Sequence, residues 1–529
     1  MQQQRELTRN HGKNDKRPGK SGLVFARPIT RLAQKLSLLP YCFFCLLFWV
    51  YKKVRRFWNE IELGISYNDI VKKLIINNLK CDSSLNSRYI TFPAFLLLIL
   101  LLPSCLFSKI DRTPYQQTGF YKKYRQTLDT LTFPAADGNA VKAGWAKINI
   151  TPIHRVRLAG YGTRFAKKSS GIHDSVYIRA FVFDNGKTKA AFITSDLLIM
   201  PPEVIKKLTP RLPEKGWHIN QIYFSATHTH NSLGGWARHL SGSLIAGKHR
   251  RKVVKSLATS FLDVLSKAEQ NIRPAAFAFA KTPAAEFVNN RLSDTLKFRD
   301  TLIRSIFIRQ NTGKTAVITT FQAHPTCLED KVMPVSGDYP ATLVNNLEKD
   351  FDFAAFAAGG VGSHSPNSEG QNFDKIAHIA NGLHHKIMDS YAALTFSKIK
   401  TLRILQMPLY LRKPVWRPLN NMNKAVKPWL FNLLFGKYKS KISFLQLGDV
   451  YLTGMPCDFS GLLTLPMQEE VAKSGKELIV TSFNGGYIGY ITPDNFYDIR
   501  HYETKDMNWF GPENGAYFSE IVLNILRKF

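Results

Sequence analysis

Cysteine is scarce: the chain of 529 residues holds six, Cys42, Cys45, Cys81, Cys105, Cys327 and Cys457. So few in a chain this long do not make a disulfide framework. The one close pair, Cys42 and Cys45, lies inside PYCFFCLLFW, where small buried apolar residues are a better reading than redox chemistry. Acidic residues are also in short supply, with 39 Asp and Glu against 72 Lys and Arg and a formal net charge of +33. Such a surplus points to nucleic acid or to an anionic surface. Zinc-finger spacing and RNA-recognition signatures are both missing, which argues against nucleic acid. No internal repeat is found, so the chain does not read as a repeat array.

The basic residues are unevenly placed. Residues 1–56 carry thirteen Lys and Arg and two Asp and Glu, and they run into an apolar stretch, an arrangement suited to an anionic cytoplasmic leaflet. Residues 1–89 read as a basic, cytoplasmic and partly disordered region, with an amphipathic helix near Ile70–Leu79. Within them, Leu36–Tyr51 is apolar but only sixteen residues long and contains Pro40, short for a full span. Ile90–Ser108 runs nineteen residues without a charge and predicts a transmembrane helix over 90–108. The upstream Lys and Arg then place the N-terminus inside and the rest outside, a single-pass membrane protein with its catalytic domain on the non-cytoplasmic side. A second span at Leu36–Tyr51 would invert this orientation. LPSC at Leu102–Cys105 is no lipoprotein cleavage box, because Pro103 and the long upstream region are wrong for one. Residues 109–140 read as a tether.

From 141 to 529 the composition is that of a globular enzyme; over the whole chain 44% of residues are hydrophobic and 21% charged. KAGWAKINITP alternates as a strand does, and SVYIRAFVFDNGKTKAAFITSDLLIM reads as a hairpin about Asn185-Gly186. Helices are expected at Pro201–Leu208 and Lys248–Lys267, and strands at Ile219–Phe224, Ala275–Ala280 and Ser305–Arg309. The alternation predicts an α/β domain with a mixed sheet and flanking helices, preceded by the transmembrane helix.

SATHTHNSLGGW, Ser225 to Trp236, delivers His228 and His230 two residues apart after a strand. If strand geometry continues through them, both imidazoles point to one side. Neutral imidazole is the commonest metal ligand, but a pair alone is weak evidence of a site. Four later stretches supply further candidates. His324 stands at a strand end in AVITTFQAHPT, and AAGGVGSHSPNSEG carries Ser363, His364, Ser365 and Asn367. Asp458 follows an apolar strand in LGDVYLTGMPCDFSG, and NGGYIGYITPDNFYDIRHYE holds Tyr490 and Tyr502. Each is more often structural than functional when taken alone.

In this order, HTH after a strand, AHPT before SGDYP, a small-residue loop ending in SPN, P-x-acid after a strand and GYIT before RHYE resemble the neutral/alkaline ceramidases. GWAKINITP and LAGYGTR look like that family's opening strand and loop, so the likeness spans roughly 142–529. It implies a zinc amidohydrolase that cleaves the N-acyl amide bond of ceramide. Carried over, it makes His228, His324, Asp458 and Tyr490 the zinc ligands and His230 and Tyr502 the oxyanion donors. It makes Arg291 a lining residue and Ser365 the serine beside the scissile amide. Zn(2+) with an open position would lower the pKa of a water towards ~7 and polarise a carbonyl.

Several residues depart from the family. Asp458 stands where Glu is usual, THTHN replaces THTHS, and His364 is unexpected, which keeps Ser363 open as the relevant serine. The chain ends at Phe529, so the C-terminal β-sandwich of longer members is expected to be missing. A serine nucleophile at Ser365 is the competing mechanism. Lys413–Lys441 mixes Trp416, Trp429, Phe431, Leu433, Leu434 and Phe435 with cations and suits either a lipid headgroup boundary or a surface helix packed on the core. The expected partners are therefore a lipid substrate and a membrane. A hydrolase of another amide or ester, or a non-catalytic membrane protein on the same scaffold, are the alternatives.

Overall fold

The computed structural model describes residues 106–293, 298–419, 422–437 and 439–529. Two sheets stand at its centre. The larger has eight strands: β1 Lys142–Asn149, β2 Tyr177–Asp184, β3 Lys189–Ser195, β4 Ile222–Phe224, β5 Arg273–Pro283, β6 Leu302–Gln310, β7 Thr315–Phe321 and β8 Phe353–Ala358. Their order is β8-β7-β6-β5-β1-β2-β3-β4. The β3–β4 and β7–β8 pairs are parallel and the other neighbours antiparallel, so the expected mixed sheet is present. The smaller sheet, β9 Leu402–Pro408, β10 Lys441–Leu447, β11 Val450–Gly454 and β12 Glu477–Thr481, ends in a parallel β11–β12 pair.

Strand alternation sorts the side chains into layers. In β2, Phe181 and Phe183 join a core shared with the small sheet, while Ala180 and Val182 face a second core containing helices Arg251–Gln270, Asp338–Leu347 and Asn372–Tyr391. In β10, Leu445 and Leu447 point into the shared core, and Ile442 and Phe444 face a third core. That third core holds helices Gly119–Thr130, Gly461–Ala472 and Asn514–Leu526. The layers therefore run helices, sheet, sheet, helices. The carboxyl ends of three strands are joined where Ala358 N–H donates to Ala226 O (3.1 Å) and Ser482 N–H to Ala358 O (2.8 Å).

The expected transmembrane helix over 90–108 is corrected here, and with it the single-pass membrane topology. No helix among the described residues is long and apolar enough to cross a membrane. Residues 90–105 lie outside the described residues, as do Leu36–Tyr51 and the helix expected near Ile70–Leu79. The end of the supposed span is not helical: Phe107–Lys109 is a strand paired with Lys424–Val426. Backbone groups committed to a neighbouring strand cannot also close a helical ladder.

The stretch read as a tether also folds. Its helix Gly119–Thr130 buries Tyr124 and Leu128, and Tyr115 and Tyr121 both donate to the carboxylate of Glu520 on the C-terminal helix (2.7 and 2.8 Å). The cationic–aromatic stretch forms helix Pro428–Phe435, which buries Leu430, Phe431 and Leu434 and stacks Phe431 and Phe435 near Trp509. Trp429 and Leu433 point outward. This is a surface helix packed on the core. Cys327 and Cys457, the cysteines among the described residues, are free and buried.

Candidate metal centre

The site forms just beyond the carboxyl ends of the parallel pairs, where ligands bind in open α/β sheets. After β4 the chain is not a strand through both histidines, as the sequence pattern suggested. It runs on through Ser225 N–H→Ile193 O and Thr227 N–H→Ser195 O, then turns at His228, whose φ is +65°. That left-handed residue, rather than strand alternation, aims the two rings at one point. His228 stacks on Phe483 at 3.9 Å, and His230 packs against the ring of Tyr161 at 4.8 Å. His324 arrives from the end of β7, as expected, and its N–H donates to His364 O (3.4 Å) in the loop after β8.

The three imidazoles converge. Nε2 of His228 and His324 are 3.0 Å apart, those of His230 and His228 3.3 Å, and those of His230 and His324 3.2 Å. Asp458 comes from the loop after β11. Its two-residue strand Asp458–Phe459 lies parallel to Tyr490–Ile491, with Asp458 opposite Tyr490, so the carboxylate and the phenol share one wall. Asp458 Oδ1 stands 3.3 Å from His228 Nε2, despite a side chain one methylene shorter than the Glu expected from the resemblance. Arg291 lies across the group, its Nη2 3.2 Å from His324 Nδ1 and 3.3 Å from Tyr490 Oη. Tyr502 is 55% exposed at the edge, its ring 5.9 Å from that of Tyr490.

The donor set fits a cation. His228 Nδ1 lies 2.5 Å from Leu198 O; a carbonyl can only accept, so Nδ1 carries the proton and Nε2 presents its lone pair. That lone pair faces, at 3.3 Å, the buried Asp458 Oδ1, which has no hydrogen-bond partner. Electron pairs facing one another away from water are costly unless a proton or metal ion lies among them. His228, His230 and His324 form a group able to hold a metal ion among the described residues. Burial, then the charge of Arg291, holds His324 well below the usual imidazole range; burial, then His228, does so for His230. Burial, then the charge of Asp458, pushes the Tyr490 phenol well above its ordinary range.

Several contributors escape a reading by motif. Tyr487 donates to Asp458 Oδ2 (2.6 Å), and Glu503 pairs with Arg291 Nε (3.1 Å). Both stand in the stretch that holds Tyr490 and Tyr502, and carboxylate partners beside a phenol were the available signal. Arg164, in LAGYGTR, donates to His230 O (2.6 Å) and had no local signal at all.

The serine reading loses ground. His364 is fully buried, and its Nε2 accepts Asp300 N–H (3.0 Å), so its Nδ1 holds the proton and donates to Ser363 Oγ (2.8 Å). With both ring nitrogens so engaged, His364 cannot take a proton from Ser363. Ser363 also accepts from Ser460 Oγ (2.7 Å) and is a buried structural hydroxyl. Ser365 sits on a two-stranded ribbon opposite Asn289, beside the segment that carries Arg291, and among the described residues no hydrogen bond joins its hydroxyl to the imidazoles. Asn367 pairs with Asn289 on the same ribbon (2.9 Å) and has no part in the cluster.

The small-residue loop is needed for close approach. A Cβ on Gly362 would stand 2.5 Å from Asp458 O. Gly362→Ala is therefore expected to shift Asp458, costing about 1–3 kcal/mol of stability and about 10–100-fold in metal affinity. Thermal unfolding and a zinc titration would measure both, and parent-like values in both would remove the loop from the site.

Residues 142–390 match the family described as neutral/alkaline non-lysosomal ceramidase, N-terminal. The chain is 24% identical over 263 residues to neutral ceramidase of Pseudomonas aeruginosa, covering 45% of this chain and 39% of that protein. It is 25% identical over 247 residues to neutral ceramidase of Mycobacterium tuberculosis, covering 40% and 38%. The matched stretch thus spans less than two-fifths of these relatives' length. The crystal structure of neutral ceramidase from Pseudomonas aeruginosa superposes with a TM-score of 0.63 at 18% identity, covering 74% of this chain and 75% of that one. The fold is shared.

Proposed function

We propose that this chain, which matches the neutral/alkaline ceramidase family over residues 142–390 and resembles bacterial neutral ceramidase in fold, is a zinc-dependent amidohydrolase acting on the N-acyl bond of ceramide or a related lipid. The observation that carries this reading is the convergence of three imidazole Nε2 atoms, 3.0–3.3 Å apart, beside the unpartnered Asp458 Oδ1. His228, His324 and Asp458 would hold the zinc, with Tyr490 on the same wall. When bound, zinc supplies a water acidified towards ~7 and a Lewis acid for the carbonyl.

The chain's own groups do the rest. As the C–N bond breaks, the proton of the attacking water goes to the amine nitrogen, while Asp458 Oδ1 is the oxygen that would hold the zinc. Tyr487, donating to Oδ2, holds that carboxylate in place. His230 Nε2–H and the Tyr502 hydroxyl donate to the developing oxyanion, each worth about 3–4 kcal/mol. Arg291, tied to Glu503, donates to the Tyr490 phenol oxygen (3.3 Å), and His324 Nδ1 donates to Val361 O (3.3 Å), which leaves its Nε2 to hold the zinc. Burial of His228, His324 and Asp458 excludes water from the side of the site that would hold the metal. A related reading, a hydrolase of another amide or ester, is favoured by the shorter carboxylate at Asp458.

The test is zinc content of the purified full chain together with hydrolysis of a fluorescent short-chain ceramide and its ester analogue. One zinc per chain and amide turnover, removed by a chelator and restored by zinc, is the expected result. Zinc with ester turnover alone moves the substrate class. Folded protein with neither zinc nor turnover sinks the proposal.

A further inference from the structure

We infer that Arg164 is a positioning residue that aims His230 at the reacting group; this rests on the hydrolase reading above for its catalytic meaning, though not for its geometry. Arg164 is 3% exposed and spends its guanidinium on the backbone around the site. Nη1 donates to His230 O (2.6 Å), and Nη2 to Asn231 Oδ1 (2.9 Å), Glu329 O (3.0 Å) and Val332 O (2.9 Å). Nε donates to Asp330 O (2.6 Å). One side chain thus clamps the peptide after His230 to the 329–332 loop.

Three features separate this clamp from ordinary packing. The first is that none of these acceptors is a carboxylate: the Asp330 carboxylate takes its hydrogen bond from Thr163 Oγ1 instead (2.6 Å). A buried guanidinium without a paired carboxylate is expensive to desolvate, and neutral side chains could pin a loop at lower cost. The second is backbone conformation: Phe165 and Ala166, directly after Arg164, have φ of +47° and +49°. Two adjacent left-handed non-glycine residues are a local strain of the kind that accompanies functional loops. The third is contact with His230 from the same loop. Tyr161 packs its ring on the imidazole while its own ring meets the Arg164 guanidinium at 4.6 Å. A Cβ on Gly160 would lie 2.8 Å from both Cα and Cβ of His230. The LAGYGTR loop therefore holds His230 by its peptide, its Cα and its ring. Among the described residues His230 Nδ1 is buried with no hydrogen-bond partner, so no side-chain bond at the far nitrogen fixes the ring. Arg164 and Tyr161 hold it from the peptide and the ring face, leaving Nε2 to meet the other two imidazoles.

Arg164→Lys keeps the charge and most of the stem but cannot form the fork. In metal-free full chain labelled with carbon-13 at histidine Cε1, the His230 resonance is expected to shift or broaden in Arg164→Lys while the other histidine resonances stay. In ceramide hydrolysis, kcat is expected to fall about 100-fold with KM within about twofold. Arg164→Ala should recover about tenfold of its loss on addition of millimolar guanidinium ion, which a merely destabilised fold would not. An unmoved His230 resonance with kcat within about twofold of the parent overturns the inference. So does loss of folding in both variants, which would make Arg164 a structural residue. A parent without zinc or turnover, in which the His230 resonance still moves in Arg164→Lys, sinks the hydrolase reading and leaves the positioning intact.

Discussion

His228→Asn is expected to leave the protein folded, empty it of zinc and lower amide hydrolysis by at least about 10³-fold, or roughly 4 kcal/mol of transition-state stabilisation. Asparagine is the informative replacement because the backbone at this position is left-handed, with φ +65°. Asn visits that region readily, whereas alanine would add about 1–2 kcal/mol of backbone strain to the effect being measured. The substitution removes an imidazole whose lone pair the fold has already directed, through Leu198 O on Nδ1. It also removes the stack on Phe483, worth about 0.5–1.5 kcal/mol, a loss that thermal unfolding would report separately from activity. Metal analysis beside turnover decides the matter. A variant that keeps one zinc per chain and parent-like turnover would take His228 out of the site.

Asp458→Asn should act in opposite directions on the metal-free and metal-loaded protein. In the metal-free chain the buried Oδ1 has no partner and faces the His228 Nε2 lone pair at 3.3 Å. An amide N–H in that place donates to the lone pair, and Oδ1's unmet demand disappears, so stability should rise by about 1–3 kcal/mol. The oxygen held by Tyr487 can stay where it is. With metal the sign reverses: the charge that balances the cation is gone, and affinity should fall by about 100-fold or more. Since bound metal stabilises by mass action, the unfolding temperature of the parent should drop on chelation and that of Asp458→Asn should hardly respond. Equal responses in both proteins would mean that Asp458 does not touch the metal. Hydrolysis by the variant should be lost together with affinity.

The two effects draw on different kinds of legibility. His228 could be picked out from its spacing to His230, but the geometry first expected of it was wrong. Alternation along a strand would have put both rings on one side; the left-handed turn at His228 does that work, and a φ value has no signature in THTHN. Asp458 stood out as an acid just past an apolar strand. That it is opposite Tyr490, with Tyr487 on its other oxygen, depends on the pairing of two short strands that sequence patterns do not specify.

The same division holds for the fold. Asn185-Gly186 announced its hairpin, and the strands of the large sheet other than Phe353–Ala358, with helix Arg251–Gln270, lie close to where periodicity placed them, because alternation and helical spacing are local properties. The transmembrane reading failed for a related reason. Hydropathy sees a run of apolar residues but not the partner strand at Lys424–Val426 that takes up the backbone of Phe107–Lys109. His364 looked like an intruder in a catalytic loop, and its hydrogen bonds from Asp300 and to Ser363 make it a buried fastening.

By itself the sequence determined the residue types, their order and the local elements: an α/β chain with imidazoles and an acid at strand ends. Only the tertiary structure decided that those ends meet, that three Nε2 atoms share a space of 3.0–3.3 Å, and that Arg164 and Tyr487 belong with them. The reason is physical. Periodicity follows from backbone geometry over a few residues, whereas convergence follows from packing between segments up to hundreds of residues apart, whose relative placement no short stretch encodes.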